Sequence, residues 1–288
     1  MSIEKQSPCK ANLLLNILGR RPDGFHELET IMHPVRLCDR LEFARAAAGI
    51  ELTCSNPRLP VDSGNLAHRA AEKFLAAAGV RDGVRIHLEK KIPLAAGLGG
   101  GSGNAATTLL ALNELFGHPL ASLDGLAASL GSDINFFLQS KPALATGRGE
   151  HVRSLDHFPA LQGKVFVLIH PGFGIATPWA YQNLARFPVA LNGKPGRADA
   201  LVARLQADDW PAIAGDLYNS LEAPALEKFP VLRLFQETLR ADGALASLMS
   251  GSGSTTFAIA DSIARAETLL EKFRSRFGAH AWTAIVPA

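Results

Sequence analysis

The stretch Pro93-Leu-Ala-Ala-Gly97-Leu-Gly-Gly-Gly101-Ser102-Gly103-Asn104-Ala-Ala decides how the rest of the chain is read. Gly97, Gly99, Gly100, Gly101 and Gly103 place five glycines within seven residues. Before them, Val84-Arg-Ile-His-Leu88 alternates apolar and polar side chains, the pattern of a half-buried strand. After them, residues 104–116 are rich in helix formers, and Gly117 closes the run. The order is therefore strand, glycine-rich loop, helix. Without β-carbons, successive backbone N–H groups can turn inward and approach a ligand closely. The positive end of the following helix, expected to start near residues 102–104, adds to the field. A di- or triphosphate suits such a loop. Ser102 can donate a hydroxyl hydrogen bond to it, or ligate the magnesium that accompanies ATP. This reading predicts a kinase that moves a phosphoryl group from ATP to the hydroxyl of a small molecule.

Other phosphate-binding patterns fit less well. A Walker loop requires a lysine after its last glycine, and none follows Gly103. Gly101-Ser-Gly103-Asn-Ala-Ala106 meets the dinucleotide pattern weakly. No strand runs directly into Gly101, and no acidic strand end follows at the required distance. A serine hydrolase would need a GxSxG elbow, which the chain lacks.

Outward from the loop, the patterning predicts short strands at 11–18, 41–45 and 50–54 and a helix over 65–78 closed by Gly79. Ser122 is placed to cap a helix that ends at Gly131. Further strands are expected at 165–169, 245–250, 255–260 and 281–286, and helices at 198–206, 230–241 and 262–276. Hairpin-like strands mixed with helices favour α+β over a doubly wound parallel sheet. The expected domains are residues 1–160, binding ATP and carrying catalysis, and 161–288, contributing to the substrate pocket.

A chain of 288 residues is long enough for two such domains. Its net charge of +2, with Lys and Arg scattered, lacks the footprint of a nucleic-acid binder. No apolar run approaches the length of a membrane span, and MSIEKQSPCK has no apolar signal core, so no membrane partner and a cytoplasmic location are expected. Cys9, Cys38 and Cys54 form no CxxC pair, which points to free, buried or half-buried thiols. The histidines show no metal-ligand spacing, so no protein-held metal is expected.

Four segments, in order and spanning residues 8–257, resemble the GHMP kinases. They are Pro8-Cys-Lys10-Ala-Asn12 with Asp23-Gly24-Phe25-His26; the glycine loop; Gly131-Ser-Asp133-Ile-Asn-Phe-Phe; and Leu248-Met-Ser-Gly251-Ser-Gly253-Ser-Thr-Thr-Phe257. The resemblance is strongest to the branch whose alcohol substrate carries a cytidine diphosphate group. It implies the two-domain GHMP kinase fold, with a ribosomal protein S5 domain 2-like N-terminal domain and a ferredoxin-like C-terminal domain. It also implies Asp133 as general base with Lys10 as its partner. Pro93, Leu94, Ala95, Ala96, Gly97, Leu98, Gly99, Gly100, Gly101, Ser102, Gly103 and Asn104 would wrap the ATP phosphates, with Asn65, Lys90 and Lys91 as weaker candidates near adenine or ribose. On the substrate side, Asn12 would bond near the reacting hydroxyl. Phe25 and Tyr181 would sandwich the cytosine, His26 would read its polar edge, and Thr177 would lie nearby. Gly251–Ser254 would support the wall of the site.

Two positions depart from the family pattern: Gly103 stands where a second serine is usual, and Phe25 where tyrosine is common. From the residues alone, Asp133 also reads as a helix N-cap, and Lys10 as a surface lysine. Magnesium is expected to arrive with ATP, and the chain to be a monomer or weak homodimer. Another GHMP small-molecule kinase, or a catalytically silent nucleotide-binding protein on the same fold, are the alternatives.

Overall fold

Residues 2–288 are described by a computed structural model. The apolar run at 11–18 is the middle of a much longer strand, β1 (Ser2–Arg20). A turn in which the Asp23 carboxylate accepts the Phe25 N–H (3.1 Å) leads into β2 (His26–Ala46). The sequence predicts only the apolar segments of these strands because their ends alternate too weakly to stand out. Chain packing divides the molecule into two units: residues 1–9, 37–92 and 99–140, and residues 10–36, 93–98 and 141–288.

In the first unit, β3 (Ile50–Cys54) runs parallel to β4 (Gly83–Glu89), and β4 pairs antiparallel with the Arg40–Ala46 end of β2. The connection between β3 and β4 is α1 (Leu66–Ala78), as a parallel pair requires. Asn65 caps it by accepting the Ala67 N–H (3.0 Å), and Gly79 closes it in the left-handed conformation. Packed on α1 is α2 (Gly100–Leu115). Then follow α3 (Asp124–Leu130) and a 3₁₀ turn over Asn135–Leu138. The N-cap of α3 is Leu123, with no side-chain cap, and not the expected Ser122, whose hydroxyl lies one residue earlier and accepts the Asp124 N–H (3.2 Å).

In the second unit, β5 (Ala143–Gly147) pairs antiparallel with β2 and with β6 (His151–Ser154), and the two-residue β8 (Tyr218–Asn219) runs parallel to β1. A second sheet is formed by β7 (Val165–His170), β9 (Ala246–Met249), β10 (Thr256–Ala260) and β11 (Trp282–Pro287), ordered β11-β7-β10-β9 and antiparallel throughout. Between β7 and β9 lie α4 (Thr177–Leu184), α5 (Pro188–Leu191), α6 (Arg197–Ala207), α7 (Trp210–Asp216), α8 (Glu222–Lys228) and α9 (Pro230–Ala241); α10 (Ile263–Phe277) joins β10 to β11. Counted along the chain, the strands stand in the order 4-1-3-2 with a helical connection in each half, a ferredoxin-like arrangement. Leu15, Ile17 and Leu28 of the long hairpin share its core with Val167, Phe235 and Phe273. The α+β expectation holds, and Cys9, Cys38 and Cys54 form no disulfide.

The largest local correction concerns α2. It begins at Gly100, before the expected start at 102–104, so three of its first four residues are glycines. Glycine is a poor helix former, and tertiary packing overrides that here. A β-carbon at Gly103 would lie 2.6 Å from the Pro8 carbonyl oxygen and 3.1 Å from Ser7 Oγ. The space a serine would need at position 103 is thus filled by β1.

Two tests follow from this packing and from His33. Gly103→Ser should destabilise by about 1–3 kcal/mol in urea unfolding through overpacking. Gly101→Ala, whose β-carbon would sit 3.5 Å from Leu66 Cδ1, should be neutral or gain up to about 1 kcal/mol. Equal losses at both positions would contradict the close approach. His33 is buried between Phe158 and Phe166, with ring centroids 6.4 and 5.8 Å away, and its Nδ1 has no partner among the described residues. Burial, and secondarily the charge of His157, lower its pKa from 6.5 to about 4. Between those values the unfolded chain binds the extra proton. Stability is therefore untouched above pH 6.5 and falls, by up to about 3 kcal/mol, as pH drops towards 4. His33→Leu should flatten that acid loss, measured by urea unfolding at pH 7 and pH 4.5.

Candidate active site

In the first unit the site is built from the N-terminus of α2. A helix leaves its first N–H groups without intrahelical acceptors. Here the Gly103 N–H bonds the Gly99 carbonyl (2.9 Å), while those of Gly100, Gly101 and Ser102 meet no backbone carbonyl among the described residues. Gly101 is exposed, and Ser102 is half-exposed. Three open amides at the positive end of a sixteen-residue helix could hold an anion by ordinary helix electrostatics.

That helix end is anchored by Asp39, a fully buried carboxylate on β2. Oδ1 accepts the N–H groups of Lys91 (2.7 Å) and Ile92 (2.9 Å); Oδ2 accepts the Lys90 ammonium and Asn104 Nδ2 (3.0 Å). Asn104 also donates to Ser7 Oγ (3.0 Å) and accepts from Lys90 (3.2 Å). The side chains of Asn104 and Lys90 are therefore engaged by the protein itself. At Asn65, besides the cap, Nδ2 donates to the Pro60 carbonyl (2.9 Å). The 3₁₀ turn that follows Asp133 packs on the same helix end, since a β-carbon at Gly103 would lie 3.6 Å from Phe137. The N-cap of that turn is Ile134, one residue beyond Asp133, and it makes no side-chain cap.

In the second unit, Lys10 is buried on β1, and its ammonium donates to Asn12 Oδ1 and to the Gly97 carbonyl (3.1 Å). Asn12 in turn donates to Thr30 Oγ1 (2.8 Å). Ser250 joins the group: its hydroxyl donates to the Gly97 carbonyl (3.0 Å) and accepts the Asn12 N–H (3.3 Å). Gly97 has φ +76°, and a β-carbon there would collide with the Ser250 carbonyl oxygen, so only glycine fits. Thr255 N–H bonds the Ala96 carbonyl (3.1 Å), Ser254 Oγ donates to the Phe173 carbonyl, and Thr177 Oγ1 meets Ser252 Oγ at 2.9 Å. Residues 93–98, 249–255 and 171–177 thus form one latched set of loops.

The expected base-binding residues also lie in this unit. The ring of His26 packs on Tyr181 of α4, with centroids 5.1 Å apart and planes tilted by 41°. Phe25 is 53% exposed, and the Arg148 guanidinium sits 4.6 Å above its ring. Burial, and then the charge of Arg20, lower the His26 pKa, which favours a neutral imidazole near pH 7. Sequence reasoning missed Asp39, Ser250 and Arg148. Asp39 had a visible signal, an acid amid the apolar alternation of Leu37-Cys-Asp39-Arg-Leu41. Ser250 stood inside the Leu248–Phe257 motif without being singled out, and Arg148 had no signal, because their roles come from chain segments remote in sequence.

The family model described as GHMP kinases N terminal domain matches residues 65–140, and that described as GHMP kinases C terminal matches 198–279. A protein of Pelotomaculum thermopropionicum named 4-diphosphocytidyl-2-C-methyl-D-erythritol kinase is 42% identical over 277 residues, covering 95% of this chain and 94% of its own length. A protein of the same name from a Geobacter species is 40% identical over 279 residues, covering 95% and 96%. The crystal structure of a 4-(cytidine 5'-diphospho)-2C-methyl-D-erythritol kinase superposes with a TM-score of 0.79 at 36% identity, over 99% of this chain and 100% of that one. With its four motifs, its ferredoxin-like sheet and its relatives all agreeing, the chain belongs to the GHMP kinase family.

Proposed function

We propose that this protein is an ATP-dependent kinase that phosphorylates the 2-hydroxyl of 4-diphosphocytidyl-2-C-methyl-D-erythritol, a step of the non-mevalonate route to isoprenoid precursors. The observation that carries the kinase reading is the set of open amides at Gly100, Gly101 and Ser102. The substrate assignment is supported by relatives of that name at about 40% identity along nearly the whole chain.

In this reading Pro93–Asn104 wraps the ATP phosphates. The Asn104 side chain acts by holding the helix end, and Asn65 by capping α1 beside it. The substrate hydroxyl attacks the γ-phosphorus: the new O–P bond forms as the bond to the β,γ-bridging oxygen breaks and ADP departs. Asp133 accepts the hydroxyl proton. The Lys10 ammonium, fixed by Asn12 and the Gly97 carbonyl, stabilises the negative charge that develops. Phosphoryl transfer needs little more than such positioning and charge neutralisation.

Ser102 is the only residue of 97–103 with a side-chain oxygen, which fits a magnesium ion held mainly by the nucleotide's phosphates and water. When bound, that ion supplies neutralisation of phosphate charge. Phe25 and Tyr181 stack on the cytosine, a neutral His26 reads its polar edge, and Asn12 and Thr177 contact the remainder. Residues 1–160 carry ATP binding and catalysis, and 161–288 contribute to the substrate pocket. The protein works in the cytoplasm as a monomer or weak homodimer.

The decisive assay supplies purified protein with ATP, magnesium and the cytidyl alcohol, and follows both ADP and phosphorylated product. Turnover of mevalonate or homoserine instead would assign another GHMP kinase activity, and nucleotide binding without any turnover would favour the silent reading. Asp133→Asn should lower kcat by about 10²–10⁴-fold. Activity near the wild-type level would remove Asp133 from its role as base. Phe25→Ala should raise KM for the cytidyl alcohol about fivefold to a hundredfold and leave KM for ATP unchanged, as loss of one base stack requires.

A further inference from the structure

In the segment Tyr218-Asn219-Ser-Leu-Glu222, the side chains of Asn219 and Glu222 have no part in the mechanism above. Asn219 is buried, and all its main hydrogen-bonding capacity is spent on backbone. Nδ2 donates to the carbonyls of Met249 (2.8 Å) and Gly251 (2.8 Å), and Oδ1 accepts the Leu221 N–H (2.9 Å). Glu222 Oε1 accepts the Met249 N–H (2.8 Å) and Gln236 Nε2 (2.6 Å). Burial pushes the Glu222 carboxyl up, against the opposing pull of these two donors.

β9 is an edge strand, and such a strand offers unpaired N–H and C=O groups on its outer side. Here side chains take the place of a further strand. The pattern is specific: Asn219 grips the residues immediately before and after Ser250. Ser250 is the residue whose hydroxyl meets both the Gly97 carbonyl and the Asn12 N–H, and Gly97 and Asn12 are the partners of the Lys10 ammonium. β8 itself is held to β1 beyond Asn12, through the Ser220 N–H on the Leu15 carbonyl (2.8 Å) and the Ile17 N–H on Ser220 Oγ (2.9 Å).

We propose that Asn219 and Glu222 are positioning residues for phosphoryl transfer, which fix the Met249–Gly251 backbone so that Ser250 holds Lys10 and Asn12 in register. The proposal rests on the kinase reading given above. It differs from a simple structural clamp in what it demands: loss of the clamp should act on kcat through Ser250, not merely on stability.

The test measures wild-type turnover of the cytidyl alcohol first, because its absence overturns the functional reading before any variant is compared. Asn219→Ala should then lower kcat about 10- to 100-fold, the scale of a small misplacement of catalytic groups, with both KM values within about threefold. Ser250→Ala should do the same, and the double variant should be no slower than the worse single variant. Multiplying effects, or an Asn219→Ala protein with lowered Tm and wild-type kcat, overturn the proposal. Glu222→Gln, which keeps the acceptor, should stay within about threefold of wild-type kcat, while Glu222→Met should fall about tenfold or more. This second pair decides the question should Asn219→Ala not fold, and equal kcat in Gln and Met variants overturns the role of Glu222.

Discussion

The buried Asp39 carboxylate is the constraint on which the N-terminal end of α2 depends. It has no contact with solvent, yet it accepts from two backbone amides, one ammonium and one carboxamide. Those four donors come from residues 90–92, where β4 ends, and from Asn104, in the second turn of α2. One side chain therefore sets where the strand stops and where the helix that follows the glycines must lie. Three of its partners are neutral donors and one, Lys90, is charged; removing Lys90 would leave the buried carboxylate without its counter-charge, at about 3–5 kcal/mol. With the helix end held in place, its first amides remain directed at solvent rather than collapsing onto a carbonyl.

Lys10 is a buried cation of the second unit. Its ammonium, buried on β1, is met by neutral oxygens of Asn12 and Gly97. These two acceptors help to orient the cation. The Gly97 carbonyl serves Lys10 and Ser250 together, so the glycine loop and the loop after β9 are tied at one atom. This explains why Gly97 tolerates no side chain, whereas Gly101 has room for one. In a run of five glycines, the reasons differ from residue to residue: close approach at 97, backbone exposure at 101, and the passage of β1 at 103.

The aromatic residues add a different kind of recognition. His26 and Tyr181 already touch, and Phe25 lies beneath Arg148. The cytosine stacking proposed above would draw on such flat, partly exposed surfaces, and stacking depends little on salt. Lowering the basicity of His26 keeps an uncharged donor and acceptor beside them.

Much of the fold was legible in the sequence. Periodicity marked α9 at its observed bounds and α1, α6, α10, β7, β9, β10 and β11 to within about two residues, because each presents an apolar stripe to a core. It missed β5, β6, β8, α4, α5, α7 and α8, which are short and owe their form to neighbours. The two-residue β8, for example, exists only because β1 lies beside it. At the site, the residue types of the glycine loop and the neighbourhood of Lys10 with Asn12 were readable, since their chemistry is local to a motif. The early start of α2, the exclusion of serine at 103, and the clamps made by Asp39, Ser250 and Asn219 were not. Each joins residues dozens to hundreds of positions apart, and hydrogen bonds of that kind exist only once the backbone has been brought into register. The chain alone thus determined which chemical groups were available; tertiary packing decided which of them were consumed in holding the protein together and which were left open to bind.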